Sequence, residues 1–155
     1  MLTYCIKDLL NLKGVIIKSI KNLENVVEIY IEMPLKPHIC PNCGFETTKI
    51  HDYRIQTIKD IPIYFKPTNL IYNKRRYECK CCNKRFYEDN PIIFKYHRKT
   101  LRLTGYIINE LRNLVSCTEI AKKVNVSTNS VCRLLSPFAI TNTKLPRVLC
   151  IDEFK

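Results

Sequence analysis

Glycine is scarce in this chain. There are 3 in 155 residues, and neither GxGxxG nor GxxxxGK[ST] occurs, so the sequence has no glycine-rich loop of the kinds that cradle nucleotide phosphates. Long apolar runs are missing too, since none reaches the ~18 residues that a membrane-spanning helix needs. The segment from Met1 to Leu12 carries Lys7 and Asp8 within its apolar stretch and has no small-residue cleavage site, so it does not read as a secretory signal. Acidic residues are few, 14 against 26 Lys and Arg, which leaves a formal net charge of +12. Hydrophobic residues make up 46%, which excludes the low-hydrophobicity, high-charge composition of disordered chains.

The positive charge is unevenly spread. Residues 1–35 balance at zero, whereas residues 36–99 hold 14 basic and 6 acidic residues, a balance of +8. Residues 100–135 add 5 basic against 2 acidic, or +3. A polyanion docks where such an excess lies, so nucleic acid is favoured over a merely solvated lysine face. Charge alone does not separate DNA from RNA or from an acidic protein.

Cysteine is abundant, at 9 residues. An odd count without a secretory signal argues against a disulfide scaffold. Two tight pairs stand out, Cys40-Pro-Asn-Cys43-Gly44 and Cys79-Lys-Cys81-Cys82. Paired CxxC units in a reducing compartment read as a structural zinc site. Such a site takes four thiolate or imidazole ligands in a tetrahedron. Cys40, Cys43, Cys79 and Cys82 form the expected ligand set, because only the 79/82 choice keeps the two-residue gap that Cys81 would break. Gly44 supplies the positive φ that such a turn often needs. His38 and His51 are rival ligands, although a single His near such a module more often serves as a surface or hydrogen-bonding residue. Two pairs within a basic, glycine-poor β segment favour zinc over redox-active or free thiols.

Four segments follow from the pattern. In residues 1–35, the runs Val15–Ile20 and Val26–Ile31 flank a polar turn, and Ile29 and Ile31 alternate with Glu28, Tyr30 and Glu32. This is a hairpin with one wet face. Residues 36–99 form a zinc-ribbon-like module with strand-like stretches at Thr47–Thr57 and Thr68–Glu78, and Asp60-Ile61-Pro62-Ile63 as a break between them. Lys74-Arg75-Arg76-Tyr77 and Lys84-Arg85-Phe86-Tyr87 interleave cations with aromatics on either side of the second cysteine pair. That pattern suits phosphate contact and stacking as well as it suits a hairpin with inward aromatics and solvated charges. Lys74, Arg75, Arg76, Lys84 and Arg85 are the candidate backbone contacts.

Residues 100–138 switch to helical periodicity. Thr100 can cap a helix whose apolar stripe is Leu101, Thr104, Ile108, Leu111 and Val115. Next come TEIAKKV, the turn Asn125-Val126-Ser127, TNSVCRLL and the stop Ser136-Pro137, which is helix, tight turn, helix. Ala121 is the small residue where two helices cross, and Ile120, Val124, Val126, Val131 and Leu134 anchor them. Asn125 tolerates left-handed geometry. Ser127 caps the second helix, leaving Thr128, Asn129, Cys132 and Arg133 outward. In a DNA-binding helix-turn-helix that second helix enters the major groove. Arg133 is suited to guanine and Asn129 to adenine. Residues 139–155 begin as a loop and end in Val148–Ile151 followed by Asp152.

The order CPNCG, HDYRIQTIKDIPI, KRRYECKCCNKRF, helix-turn-helix, LPRVLCIDEFK resembles the ISL-three family of bacterial insertion-sequence transposases. The resemblance implies an α+β chain: a β hairpin, a zinc-ribbon-like module, a helix-turn-helix, and at 139–155 a linker with the first strand of an RNase-H-like nuclease. It implies that Asp152 is the first acid of an Asp-Asp-Glu triad. Such a triad holds two divalent ions, here Mg²⁺, ~3.5–4 Å apart for displacement at a phosphodiester. The second Asp and the Glu are not in this sequence, so the expectation is a DNA-binding part with structural Zn²⁺ and no strand transfer of its own. The implied partner is double-stranded DNA at transposon terminal inverted repeats, bound by a homodimer when full length. No membrane partner is implied, and the setting is the bacterial cytoplasm, at the nucleoid. The rival expectation is a stand-alone zinc and helix-turn-helix transcriptional regulator without catalysis.

Overall fold

A computed structural model of the chain describes residues 10–136, apart from 13, 95 and 114. The expected linker and nuclease strand at 139–155, with Asp152, lie outside the described residues. The fold is α+β. Among the described residues seven strands come first: β1 (Ile16–Asn22), β2 (Val27–Glu32), β3 (His38–Ile39), β4 (Glu46–Thr47), β5 (Ile50–Ile63), β6 (Lys66–Glu78) and β7 (Arg85–Tyr87). Three helices follow: α1 (Leu101–Arg112), α2 (Cys117–Lys123) and α3 (Thr128–Leu135).

The main sheet has the order β1-β2-β6-β5, with β7 added to β6. The N-terminal hairpin is joined to the zinc segment rather than standing beside it. β2 runs parallel to β6, with Val27 opposite Thr68 and Ile31 opposite Tyr72. A parallel pair needs a long crossover, and residues 33–65 supply it. Period-two alternation then puts Val27, Ile29, Ile31, Leu70, Tyr72 and Ile58 in one buried cluster, closed by Leu12, Val15, Ile17 and Met33.

Two expectations are corrected here. Asp60-Ile61-Pro62-Ile63 does not break the strand, because β5 runs on to Ile63. The register shifts between Asp60 and Ile63, and β5 is at the end of the sheet order. At a bulge on an edge strand the missing proline N–H costs no ladder bond. In α1 the fully buried residues are Leu103 and Ile107, whereas Leu101 is exposed. The stripe facing the core is therefore Leu103, Ile107 and the half-buried Leu111, not the one through Leu101, Thr104 and Ile108.

What sets that rotation is a link to β5. The Lys59 N–H donates to the Arg98 carbonyl at 2.9 Å, and the Thr100 N–H donates to the Lys59 carbonyl at 3.0 Å. Next along the strand, the Asp60 carboxylate accepts from the Thr100 hydroxyl at 2.7 Å and from Arg102 Nε at 2.8 Å. A second ion-pair contact comes from Arg102 Nη2. The Thr100 hydroxyl in turn accepts from the Leu103 N–H at 3.1 Å and caps α1. One buried carboxylate thus anchors both the start of the helix and its facing. Breaking a buried pair by removing one partner strands the other charge. Asp60→Ala is expected to cost about 3–5 kcal/mol in urea denaturation. A loss below about 1 kcal/mol, the range of exposed pairs, would show that this link does not hold the helices.

Candidate metal centre and nucleic-acid interface

Each cysteine pair sits on the same local frame. The Cys40 N–H donates to the Phe45 carbonyl at 2.9 Å, and the Gly44 N–H donates to the Cys40 carbonyl at 3.0 Å. In the second pair the Cys79 N–H donates to the Lys84 carbonyl at 2.9 Å, and the Asn83 N–H donates to the Cys79 carbonyl at 3.0 Å. Gly44 has φ 72° and Asn83 has φ 54°. Asn83 therefore stands where the first turn has glycine, and it takes the same left-handed geometry that Asn tolerates.

The two turns face each other across the ends of β3–β4 and β6–β7. Cys40 Sγ lies 3.6 Å from Cys82 Sγ, and Cys43 Sγ lies 3.5 Å from Cys79 Sγ. All four sulfurs fall within 4.8 Å of one another. A Zn–S bond of ~2.3 Å in a tetrahedron requires S–S edges of ~3.8 Å, so the donor set fits zinc. Cys81 is exposed and outside the cluster. Neither histidine joins it. His38 is buried with its ring 4.4 Å from the Tyr77 ring, and His51 faces Asp52 at 3.8 Å.

The electrostatics at Cys43, Cys79 and Cys82 favour a cation among them. The Lys84 N–H and the Asn42 side chain draw the Cys82 thiol down to about 6. The Cys82 N–H lowers Cys79 as well. The Phe45 N–H pulls Cys43 the same way, but desolvation and the sulfurs of Cys79, Cys82 and Cys40 outweigh it and push that thiol up to about 12. Negative charge on Cys43 is thus opposed by the neighbouring sulfurs until a divalent ion compensates them.

The structure separates the five basic residues singled out beside the second pair. Lys84 and Arg85 are exposed. Lys74 is half-buried with Nζ 4.5 Å from the Tyr87 ring centre, and desolvation lowers its pKa. Arg76 is tied to Asp52 by two hydrogen bonds of 3.0 and 2.5 Å. Arg75 is the correction. It is buried, and its Nη1 donates to the Met33 carbonyl at 2.8 Å and to Glu88 at 3.3 Å. Burial opposes its charge, but Glu88 beside it outweighs that and holds the guanidinium above its usual range. Glu88 also accepts from the Tyr72 hydroxyl at 2.6 Å and from the Arg75 N–H at 2.9 Å. On a strand, neighbours point to opposite faces, so a run of three cations cannot all face water.

The helical segment has the helix-turn-helix geometry. Ser116 caps α2 by accepting from the Glu119 N–H at 3.2 Å, and Ser127 caps α3 by accepting from the Ser130 N–H at 3.3 Å. Asn125 takes φ 51°, and the Val126 N–H closes the turn onto the Ala121 carbonyl at 3.0 Å. Ile120, Ala121, Val124 and Val131 are buried, with Val126 and Leu134 packed against them. Ser127, Thr128, Asn129, Cys132 and Arg133 are exposed on the outer side. Lys123 is exposed and links α2 to α1 through a 2.7 Å bond to Glu110.

Two cations that the pattern did not single out brace this unit. Lys59 Nζ donates to the Asn125 carbonyl, in the turn before α3. Lys99 Nζ donates to the Ser130 carbonyl at 3.4 Å, and its pKa is lowered first by desolvation and then by the charge of Arg133. No spacing rule reveals them, because each acts on a residue that is far along the chain.

The ligand assignment has a direct test. Cys79→Ser should cut bound zinc from one per chain to near zero by metal analysis, and Cys81→Ser should leave it unchanged. In hydrogen exchange, chelation should raise rates roughly tenfold or more at the two cysteine turns while Ile58, Leu70 and Tyr72 stay protected, because their cluster does not include the cysteines. Zinc retained by Cys79→Ser, or lost by Cys81→Ser, would overturn the ligand set.

Comparisons with known proteins fall on the same two units. The zinc-finger model of transposases IS204/IS1001/IS1096/IS1165 matches residues 36–82. The model for the helix-turn-helix domain of transposase family ISL3 matches residues 88–139. The transposase for insertion sequence element IS1001 of Bordetella parapertussis is 24% identical over 100 residues, which is 64% of this chain and 22% of that protein. The chain thus spans less than a quarter of that relative's length. No solved structure matches it. The zinc-finger and helix-turn-helix domains of ISL3-type transposases thus stand in consecutive order in this chain.

Proposed function

We propose that this chain recognises the terminal inverted repeats of its insertion sequence as double-stranded DNA, and so supplies the DNA-binding part of a DDE transposase. The observation that carries the reading is the outer side of α3. Thr128, Asn129 and Arg133 are exposed there on a helix capped by Ser127 and braced by Lys99. A major-groove helix needs that combination of a fixed axis and free polar side chains. Arg133 contacts guanine and Asn129 adenine, while Ser127 and Thr128 lie at the end that meets phosphate. Lys84 and Arg85, exposed at the second cysteine turn, add backbone contacts that carry no sequence choice.

By likeness to the family, Asp152 is the first carboxylate of the nuclease and a ligand to Mg²⁺ in a complete DDE domain. That assignment rests on the motif alone, and the residue lies outside the described region. Two copies acting on two transposon ends would account for a homodimer of the full-length protein. Binding at terminal repeats also places the protein at the nucleoid.

The two kinds of contact separate in a binding assay on duplexes carrying the terminal repeat and its single-base variants. Arg133→Ala is expected to cost about 1–3 kcal/mol and to flatten the preference among variants. Replacing Lys84 and Arg85 by Gln should weaken all duplexes alike and reduce the slope of log K against log salt by about 2. An unchanged preference in Arg133→Ala would remove α3 from the recognition role.

A further inference from the structure

The turn joining β5 to β6 is built against its own interest. Ile63 pairs with Lys66, so the loop is the two residues Tyr64 and Phe65. Both take positive φ, 52° and 62°. A two-residue turn of that kind favours Asn-Gly, because bulky side chains are strained in the left-handed region. Tyr64 and Phe65 gain no burial in return, being 81% exposed and fully exposed. Among the described residues they form no hydrogen bond or ring stack. Ile20 and Leu23, at the neighbouring β1–β2 tip, are exposed as well.

The tip is nonetheless held firmly. Lys66 Nζ donates to Asn22 Oδ1 at 3.0 Å and to the Leu23 carbonyl at 2.9 Å, which ties the two tips together. The Ile63 N–H donates to Thr68 Oγ1 at 3.1 Å. No Asp or Glu occurs between Asp60 and Glu78, and Lys66 stands beside the tip. A rigid, strained, apolar point beside a lysine does not match a solvated connection.

Its position ties it to the helix-turn-helix. Lys59 of β5 holds the Asn125 carbonyl in the turn before α3. Four residues of strand from Lys59 to Ile63 span about 13 Å, with the turn just beyond. Half a turn of duplex, from a major-groove site to the adjacent minor groove, is about 17 Å. Apolar side chains inserted from the minor groove unstack a base step and kink the duplex.

We infer that the Tyr64–Phe65 tip is a wedge that enters the minor groove beside the site of α3 and bends the DNA. The inference rests on the DNA-binding reading above. The probe is a duplex enriched by the wild-type chain from a random-sequence pool, with dyes at its ends and 2-aminopurine at candidate steps. The wild-type chain should bend it and brighten one 2-aminopurine position. The double variant Tyr64→Asn, Phe65→Gly should lose the bend and the brightening and bind about tenfold more weakly. Its own thermal midpoint should rise, because the turn strain is removed. The single variant Phe65→Asn introduces a residue tolerant of positive φ and should shift bend and affinity the same way. Affinity within twofold of wild type with the bend intact, in both variants, overturns the wedge while leaving the recognition helix in place. A lower sedimentation mass with an unchanged bend assigns the tip to a second copy and also overturns it. If the wild-type chain enriches no duplex, the DNA-binding reading falls and the wedge with it.

Discussion

Asp60 carries a charge into the interior, and that charge has to be met there. Thr100 and Arg102 meet it, and in doing so they fix the start and the rotation of α1. α1 supplies Leu103 and Ile107 to the core that seats α2 and α3. The orientation of α3 therefore descends from a carboxylate on a strand of the other unit. Lys59, the residue before it, adds the bond to the Asn125 carbonyl. Because β5 also belongs to the hairpin whose far end carries the cysteines, one strand spaces the cysteine turns from α3.

Positive charge is divided between structure and surface. Arg75 and Arg76 answer Glu88 and Asp52, and Lys123 answers Glu110. Lys84 and Arg85 at the second zinc turn and Arg133 on the outer side of α3 are among the cations left exposed to a polyanion. The net charge of +12 already subtracts these acids, so it counts the excess of cations but does not locate it. Four thiolates around Zn²⁺ would lower it to about +10.

Features set by neighbours in sequence were legible from the sequence. The β1–β2 hairpin shows as alternation, the helix caps as Thr100 and Ser127, and the left-handed turn as Asn125. The four-cysteine cluster follows from two matched local turns. What escaped was set by distant partners. The facing of α1 is chosen by Asp60, 40 residues upstream of Thr100, and its sequence offers apolar residues on more than one side. Arg75 turns inward because Glu88 and the Met33 carbonyl wait there, neither of which a cationic run announces. Pro62 reads as a break only if the strand is assumed to need a hydrogen bond on both edges.

The parallel pairing of β2 with β6 sets an order on biosynthesis. β1 and β2 can close into a hairpin as soon as residues 16–32 leave the ribosome, but Val27 finds its partner only when Thr68 has emerged, 41 residues later. Until then the hairpin offers the free edge of β2 and the apolar row Val27, Ile29 and Ile31 to its surroundings. The nascent chain passes through this exposed stage on every round of synthesis. Late closure of a long loop also slows folding relative to a chain with local pairings alone. The demand on chaperones therefore falls in that interval, before the helices that meet DNA have been translated.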